Sequence, residues 1–118
     1  MRRLAPALLG PPLLALTCLA AAPAQAQKTY QGSEAAALRC SNTLALTAVA
    51  LEGADLISPA EKEVMLGVTF LILERHVSGT WRQKKAAMAV MRDRRTVRDT
   101  LDDYRRNAAR CLGQFPIN

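Results

Sequence analysis

Residues that usually carry chemistry are scarce in this chain of 118 residues, which contains one histidine, one tryptophan, two tyrosines and two phenylalanines. His76 has no histidine or cysteine at a spacing used by metal sites, so we expect it to be dispensable and predict no metal. The sequence also lacks a C-x-x-C-H haem motif, a P-loop, a dinucleotide-binding fingerprint and a G-x-S-x-G nucleophile elbow. We therefore predict a protein that is not an enzyme and that uses no cofactor.

The N-terminus has the pattern of a secretory signal. Two arginines precede the apolar residues 4–19, and an A-x-A cleavage pattern follows at residues 24–26. The apolar run is short for a bilayer span and is interrupted by prolines. We predict that residues 1–26 are cleaved, that residues 27–118 form a single helical domain without a transmembrane segment, and that the protein is periplasmic or secreted from a bacterial envelope.

Two cysteines, Cys40 and Cys111, remain once the signal, which contains Cys18, is removed. An even pair of cysteines in an oxidising compartment is typical of a disulfide. A bridge between them would close most of the chain and stabilise the fold by about 4 kcal/mol on a chain-entropy estimate. We predict that it forms, because a domain this small has a marginal core. Lipidation of Cys18 is an alternative that the preceding Thr17 disfavours.

Apolar periodicity and capping signals predict helices and no strand. The first helix covers residues 33–51, and the second covers residues 59–77 after an S-x-x-E capping box. The third begins near Trp81 after a T-x-x-Q box. Because no glycine or proline interrupts residues 81–112, this third helix could continue almost to the C-terminus.

A fourth helix is the interpretation that the cysteines favour. Three alternating helices would leave Cys111 at the end of the molecule opposite Cys40, whereas a helix running back brings the two together. We therefore predict a turn within residues 94–100 and an all-α fold, a small up-down-up-down four-helix bundle stapled by one disulfide. The inward stripe of the last helix is then Val97, Leu101, Tyr104, Ala108 and Leu112.

The second helix contains a run of ten residues, 64–73, that carry no charge. A helix that is apolar on every side is typically buried, so we predict that the others wrap around it and that Phe70 lies in the core. Gly67 costs about 1 kcal/mol relative to alanine in mid-helix, and we attribute it to a tight crossing with another helix. Trp81 is predicted to pack over the end of the bundle, with an exposed anchor for a partner as the alternative.

Charge is divided unevenly, with a net charge of −2 over residues 27–81 and of +6 over residues 82–118. Five residues of the third helix share a stripe about 100° wide: Lys84, Lys85, Met88, Arg92 and Arg95. We call them the basic stripe and predict that it binds an anionic partner. The alternative is a solvated face that keeps the protein soluble.

One short segment resembles a motif of known proteins. Residues 57–61, Ile-Ser-Pro-Ala-Glu, are similar to the Leu-Thr-x-x-Gln motif of one group of small, exported, helical periplasmic chaperones and stress proteins. The threonine and the glutamine of that motif are absent here. The resemblance implies a helical exported protein and assigns no functional residue.

These features predict a small, exported, non-enzymatic envelope protein with an accessory, chaperone-like or inhibitory role. It would act by interaction with an acidic protein partner or an anionic lipid surface, and export argues against nucleic acid as a target. The alternative is a carrier that holds a small apolar ligand in a cavity between helices around Gly67.

Overall fold

The structure, a computed structural model, describes Gly10 and residues 28–118, so the predicted cleavage site and nearly all of the predicted signal lie outside the described residues. This part of the chain contains four helices and no strand: α1 Gly32–Gly53, α2 Pro59–His76, α3 Trp81–Asp93 and α4 Val97–Gln114. The connections are short, which makes successive helices antiparallel. The predicted all-α four-helix bundle is confirmed. None of the four helices is long and apolar enough to span a membrane.

Side-chain caps begin three of the helices where the sequence predicts them. Ser58 Oγ accepts from the Glu61 N–H at 3.1 Å, and Glu61 Oε1 accepts from the Ser58 N–H at 3.3 Å. Thr80 and Gln83 form the same reciprocal pair at the start of α3. Thr96 caps α4 through its hydroxyl, so α3 and α4 are separate helices joined by the predicted turn.

The helix at the centre of the molecule is α1, and the prediction that α2 occupies this place is wrong. In the described part of the chain, α2, α3 and α4 each pack on α1 and make few contacts with one another. Burial therefore extends around most of α1, whose buried residues are Ala37, Leu38, Cys40, Ser41, Asn42, Thr43, Leu44, Thr47 and Ala48. Many of these side chains are small, which lets three helices approach one helix from three sides.

The second helix is only partly covered, because it has one main neighbour. Its fully buried residues are Thr69, Ile72 and Leu73, all on the side of α1. Val64 is 68% exposed and Phe70 is 49% exposed, so the prediction of a core position for Phe70 is wrong. The apolar surface of α2 exceeds what a single helix interface can bury.

The fourth helix is fastened to α1 by the predicted disulfide. Cys40 and Cys111 are bridged with their Cα atoms 5.6 Å apart and 71 positions apart in sequence. The inward face of α4 differs from the predicted one, because Val97 and Leu112 of that stripe are exposed. The side chains of α4 that are buried instead are both polar: Thr100 and the charged Asp103, which bonds to Thr43 of α1.

The loop between α2 and α3 is held against the start of α1 by several hydrogen bonds. Ser78 donates from its backbone N–H and from its hydroxyl to the carboxylate of Glu34. The Tyr30 hydroxyl donates to the Ser78 carbonyl at 2.8 Å. Burial, and then the charge of Glu34, raise the pKa of Tyr30 above its ordinary value. The tyrosine is therefore a neutral donor throughout the physiological pH range.

Replacement of Gly79 by alanine is expected to lower the free energy of unfolding by about 2 kcal/mol. Gly79 has a φ of +95°, and an added Cβ would lie 2.6 Å from Gln83 Oε1 and 2.8 Å from the Tyr30 hydroxyl. Urea unfolding followed by circular dichroism would measure the change. Gly113→Ala is the matched control, because a Cβ at Gly113 meets nothing within 4 Å; equal stability of the two variants would contradict this account.

Candidate functional site

Lys84, the first cation of the basic stripe, points into the molecule. It is 6% exposed, and its ammonium donates to the Leu73 carbonyl at 2.9 Å. Leu73 lies in the last turn of α2, where carbonyls lack partners within the helix and positive charge is favourable. The Lys84 Nζ also lies 4.9 Å from the centroid of the Trp81 ring, a cation–π distance. Lys84 therefore joins α3 to α2 and holds the Trp81 ring in place.

The rest of the basic stripe is divided in the same way between the interior and the solvent. Arg95 donates to the carboxylate of Asp103 at 3.2 Å, and Met88 packs against the core. Lys85 and Arg92 are exposed. The basic stripe is thus not one continuous surface of four cations, and binding of an anionic partner by its exposed half stays a prediction.

Lys85 lies at the edge of a solvent-facing cleft of about 420 Å³ between α2 and α3. We call it the α2–α3 cleft, and its lining residues are Leu66, Thr69, Phe70, Leu73, Trp81 and Lys85. The Phe70 and Trp81 rings stack with their centroids 4.4 Å apart, while Trp81 remains 38% exposed. Large aromatic side chains left beside each other in solvent are typical of interaction surfaces.

The local sequence explains why these side chains meet. The Thr80 cap makes Trp81 the first residue of α3, so Lys85 follows it one turn later on the same face. Arg92 continues that face two turns beyond Lys85. On α2, Phe70 lies at the edge of the helix that faces the start of α3, where it stacks on Trp81.

The charges at the α2–α3 cleft have few partners. Lys85 forms no ion pair with any residue that the structure describes. Arg92 lies outside the cleft, two turns further along α3; it contacts the neighbouring Asp93 carboxylate at 3.4 Å, and both side chains are largely exposed. The hydroxyl of Thr69 donates to the Met65 carbonyl in its own helix, so it is not directed at a ligand. The lining of the cleft is therefore apolar and aromatic, with one cation, Lys85, at its edge.

A second cluster of polar residues surrounds Asp103, between α1 and α4. Its carboxylate accepts from the Thr43 hydroxyl at 2.8 Å and from the Asn107 amide at 2.7 Å. It also accepts from Arg95 at 3.2 Å and from two nitrogens of Arg39 at 3.2 and 3.4 Å. We call these five residues the Asp103 cluster. Through this cluster, the turn before α4 and one side of α1 are both hydrogen-bonded to the buried Asp103 carboxylate.

The electrostatics of the Asp103 cluster favour a structural role. Burial alone would raise the pKa of Asp103, but hydrogen bonds from Thr43, Asn107, Arg39 and Arg95 outweigh that effect and lower the pKa well below its ordinary value. The carboxylate is thus ionised at neutral pH, a weak base, and already surrounded by donors. Such a group suits the fixing of helices better than proton transfer.

The sequence contains a signal for this cluster that the helix prediction missed. Cys111 must face α1 in order to meet Cys40, and residues one, two and three turns before it share that face. These are Asn107, Asp103 or Tyr104, and Thr100. The position of the disulfide therefore indicates that the inward face of α4 is polar. The spacing of apolar residues predicted a different face of the same helix.

The single histidine fastens the C-terminal tail to α2. His76 Nε2 donates to the Pro116 carbonyl at 2.7 Å, and the ring packs edge-on against Phe115 with centroids 5.4 Å apart. Within residues 28–118 no group of three metal-ligating side chains is close enough to hold an ion. That His76 is dispensable for binding stays a prediction.

Gly67 lies on the outer side of α2 and is exposed. A Cβ added there would meet nothing within 4 Å, so the predicted tight crossing inside the chain is wrong. Gly67 itself does not line the α2–α3 cleft, although its neighbours Leu66, Thr69 and Phe70 do. The alternative of an apolar ligand carrier stays a prediction.

No protein-family model, curated protein or solved structure matches this chain. The α2–α3 cleft and the Asp103 cluster are therefore the two features that bear on function. The segment similar to the Leu-Thr-x-x-Gln motif is the capping box of α2, which accounts for its Ser58 and Glu61 on structural grounds.

Proposed function

We propose that this protein is a non-enzymatic interaction protein of the bacterial envelope, and that its α2–α3 cleft binds an acidic amphipathic helix of a partner protein. The observation that supports this function is the half-exposed Phe70–Trp81 stack beside Lys85. Tryptophan is among the residues that most often dominate binding energy in protein interfaces, and aromatic residues as a class are enriched there.

Export is part of the proposal and rests on the N-terminal pattern. Residues 1–26 have the three parts of a secretory signal. The disulfide between Cys40 and Cys111 suits an oxidising compartment such as the periplasm. A partner protein would then be another envelope or secreted protein.

The shape and charge of the cleft favour a helix as the bound element. An amphipathic helix lays its apolar stripe into a groove between helices, where the residues at i, i+3, i+4 and i+7 make the contacts. Lys85 and Arg92 are seven residues apart, which is about 10.5 Å along α3. Two carboxylates that are two turns apart on a partner helix would match them.

An anionic lipid surface is less well supported than a protein. Each cation near an anionic bilayer contributes about 1 kcal/mol, so Lys85 and Arg92 together supply about 2 kcal/mol. That is too little for the basic stripe by itself to hold the protein on a membrane. The remaining cations of the basic stripe, Lys84 and Arg95, are occupied within the fold.

Binding of an acidic amphipathic peptide is expected to change the fluorescence of Trp81, the only tryptophan in the chain. The probe is a designed helical peptide of about 18 residues with leucines on one stripe and glutamates two turns apart. Its emission titration should saturate and weaken in salt, because exposed charge pairs are screened within about 8 Å at physiological ionic strength. A peptide with the same leucines and with lysines in place of the glutamates should bind at least about tenfold more weakly.

Two variants test whether the α2–α3 cleft is responsible. Phe70→Ala and Lys85→Glu should each weaken binding of the acidic peptide by about tenfold or more. Val97→Ala, a smaller truncation of an exposed apolar side chain, and Arg105→Glu, the same reversal of charge, are controls on α4, and they should bind like the parent. Equal loss in the controls would overturn the proposal. Tighter binding to phosphatidylglycerol vesicles than to the peptide would favour a membrane target instead.

A further inference from the structure

A cleft of about 270 Å³ lies between α1 and α4 and shares no lining residue with the α2–α3 cleft. We call it the α1–α4 cleft. Both cysteines of the disulfide line it. The other residues that decide its chemistry are the apolar Ala36, Leu44, Ala108 and Phe115 and the cations Arg39 and Arg110. The proposed function makes no use of this cleft.

The floor of the α1–α4 cleft is apolar, whereas its rim is cationic. Leu44 and Phe115 are buried, so they form the floor together with the disulfide. Ala36 has a small side chain, which leaves space between the two helices. Arg39 and Arg110 are exposed and reach the rim from opposite helices. A ligand that fits this arrangement is apolar at one end and anionic at the other.

Arg39 keeps free donors after its pairing with Asp103. It is the only cation of α1, and its side chain is 58% exposed. Its Nε and Nη2 donate to the Asp103 carboxylate at 3.4 and 3.2 Å, while its Nη1 has no acceptor among the residues that the structure describes. A guanidinium has five N–H donors in a planar fork. Arg39 can therefore hold Asp103 and a further anion at the same time.

The charges around the cleft are not balanced. Arg110 forms no ion pair within residues 28–118. Asp103 is the only carboxylate in the lining of the cleft, and both Arg39 and Arg95 already bind it. Three positive charges and one negative charge leave a net charge of +2. An anion at the rim would offset part of this excess.

We propose that the α1–α4 cleft binds a small organic carboxylate with an apolar body. The carboxylate contacts Arg39 and Arg110, since a guanidinium binds the two oxygens of a carboxylate in a bidentate fashion. The apolar body covers the disulfide and Phe115, which a hydrated inorganic anion would leave in water. The volume lies just below the range of about 300–1,000 Å³ of pockets for drug-sized ligands, so the ligand is smaller than those.

Titration with 3-phenylpropanoate, followed by ¹H–¹⁵N NMR, tests the site on protein expressed from the full-length chain in an exporting host. The amide signals of residues 39–44 and 107–115 should shift and saturate with a dissociation constant on the order of 1 mM. 3-Phenylpropanamide has the same shape without the charge, and acetate has the charge without the apolar body. Each should bind at least about tenfold more weakly. Equal affinity for either control compound, or shifts confined to other residues, would contradict the proposal.

Two pairs of variants on α4 locate the ligand. Arg110→Glu should weaken binding of 3-phenylpropanoate by about tenfold or more, whereas Arg106→Glu makes the same change at an exposed position outside the cleft and should bind like the parent. Ala108→Leu should fill the cleft and weaken binding similarly, and Ala109→Leu is its control. Unaltered binding in Arg110→Glu would rule out this site. Peptide binding in the α2–α3 cleft is reported separately by Trp81 fluorescence.

Discussion

Replacement of Cys40 and Cys111 by alanine is expected to lower the free energy of unfolding by about 4 kcal/mol. The bridge closes a loop of 71 positions, and the chain-entropy estimate for a loop of that length is about 4 kcal/mol. For a domain of this size the melting temperature should fall by about 15–30 °C. Thermal unfolding followed by circular dichroism would measure it.

The polar composition of the core makes the stability of the fold depend more strongly on the disulfide. Ser41 Oγ, Asn42 Nδ2 and Thr47 Oγ1 are buried without a hydrogen-bond partner in the described chain. Each such group destabilises a fold by about 1–3 kcal/mol. Parent protein reduced with dithiothreitol is the control and should melt at the same temperature as the double variant. A double variant that melts within a few degrees of the oxidised parent would contradict the estimate.

Replacement of Asp103 by alanine should lower the free energy of unfolding by about 3–5 kcal/mol. The carboxylate is nearly buried, and its removal leaves the Thr43 hydroxyl and the Arg95 guanidinium without their acceptor. Urea unfolding at neutral pH would measure the change. Asp102→Ala is the matched control, because Asp102 is half exposed and its ion pair with Arg105 is long, at 3.9 Å, so the loss there should be below about 1 kcal/mol.

The same residue gives the stability a defined pH dependence. The pKa of Asp103 in the folded protein lies below that of an unfolded aspartate, which is about 3.9. Its contribution is therefore fully present above about pH 5 and is lost as the pH falls below 4 toward the folded pKa. Asp103→Asn should be less stable than the parent at pH 7 and should approach it near pH 2. A constant difference between the two proteins across this range would be inconsistent with the assignment.

Helix boundaries could be predicted because capping residues are local sequence signals. The disulfide could be predicted because it depends only on the order and direction of the helices. Ser58, Thr80 and Thr96 satisfy backbone N–H groups of the first turn, and that requirement is independent of the rest of the fold. The pairing of Cys40 with Cys111 follows from the number of antiparallel helices. Both kinds of inference need no knowledge of how the helices pack.

The direction in which each helix faces could not be predicted from apolar content. Both α1 and α2 contain a long uncharged run, at residues 40–51 and 64–73, yet α1 is central because side chains such as Ala37, Ser41 and Ala48 allow close approach on several sides. The charged stripe that contains Lys84 is typical of a solvent-facing surface. Burial of Lys84 is favourable because the end of α2 supplies the Leu73 carbonyl as an acceptor. Such partners come from other helices, so periodicity within one helix does not contain them.

The arrangement of three helices around α1 also distributes stability unevenly. Amide protons in the middle of α1 are covered on three sides and can exchange with solvent only when the whole fold opens. α2 and α3 are held to each other by the Phe70–Trp81 stack and by the hydrogen bond from Lys84 to Leu73, so we expect them to shift on α1 together. α4 cannot separate in the same way, because the disulfide ties it to α1. The two helices that border the aromatic cleft are therefore the adaptable part of the molecule, which suits a surface that must adjust to a helix of another protein.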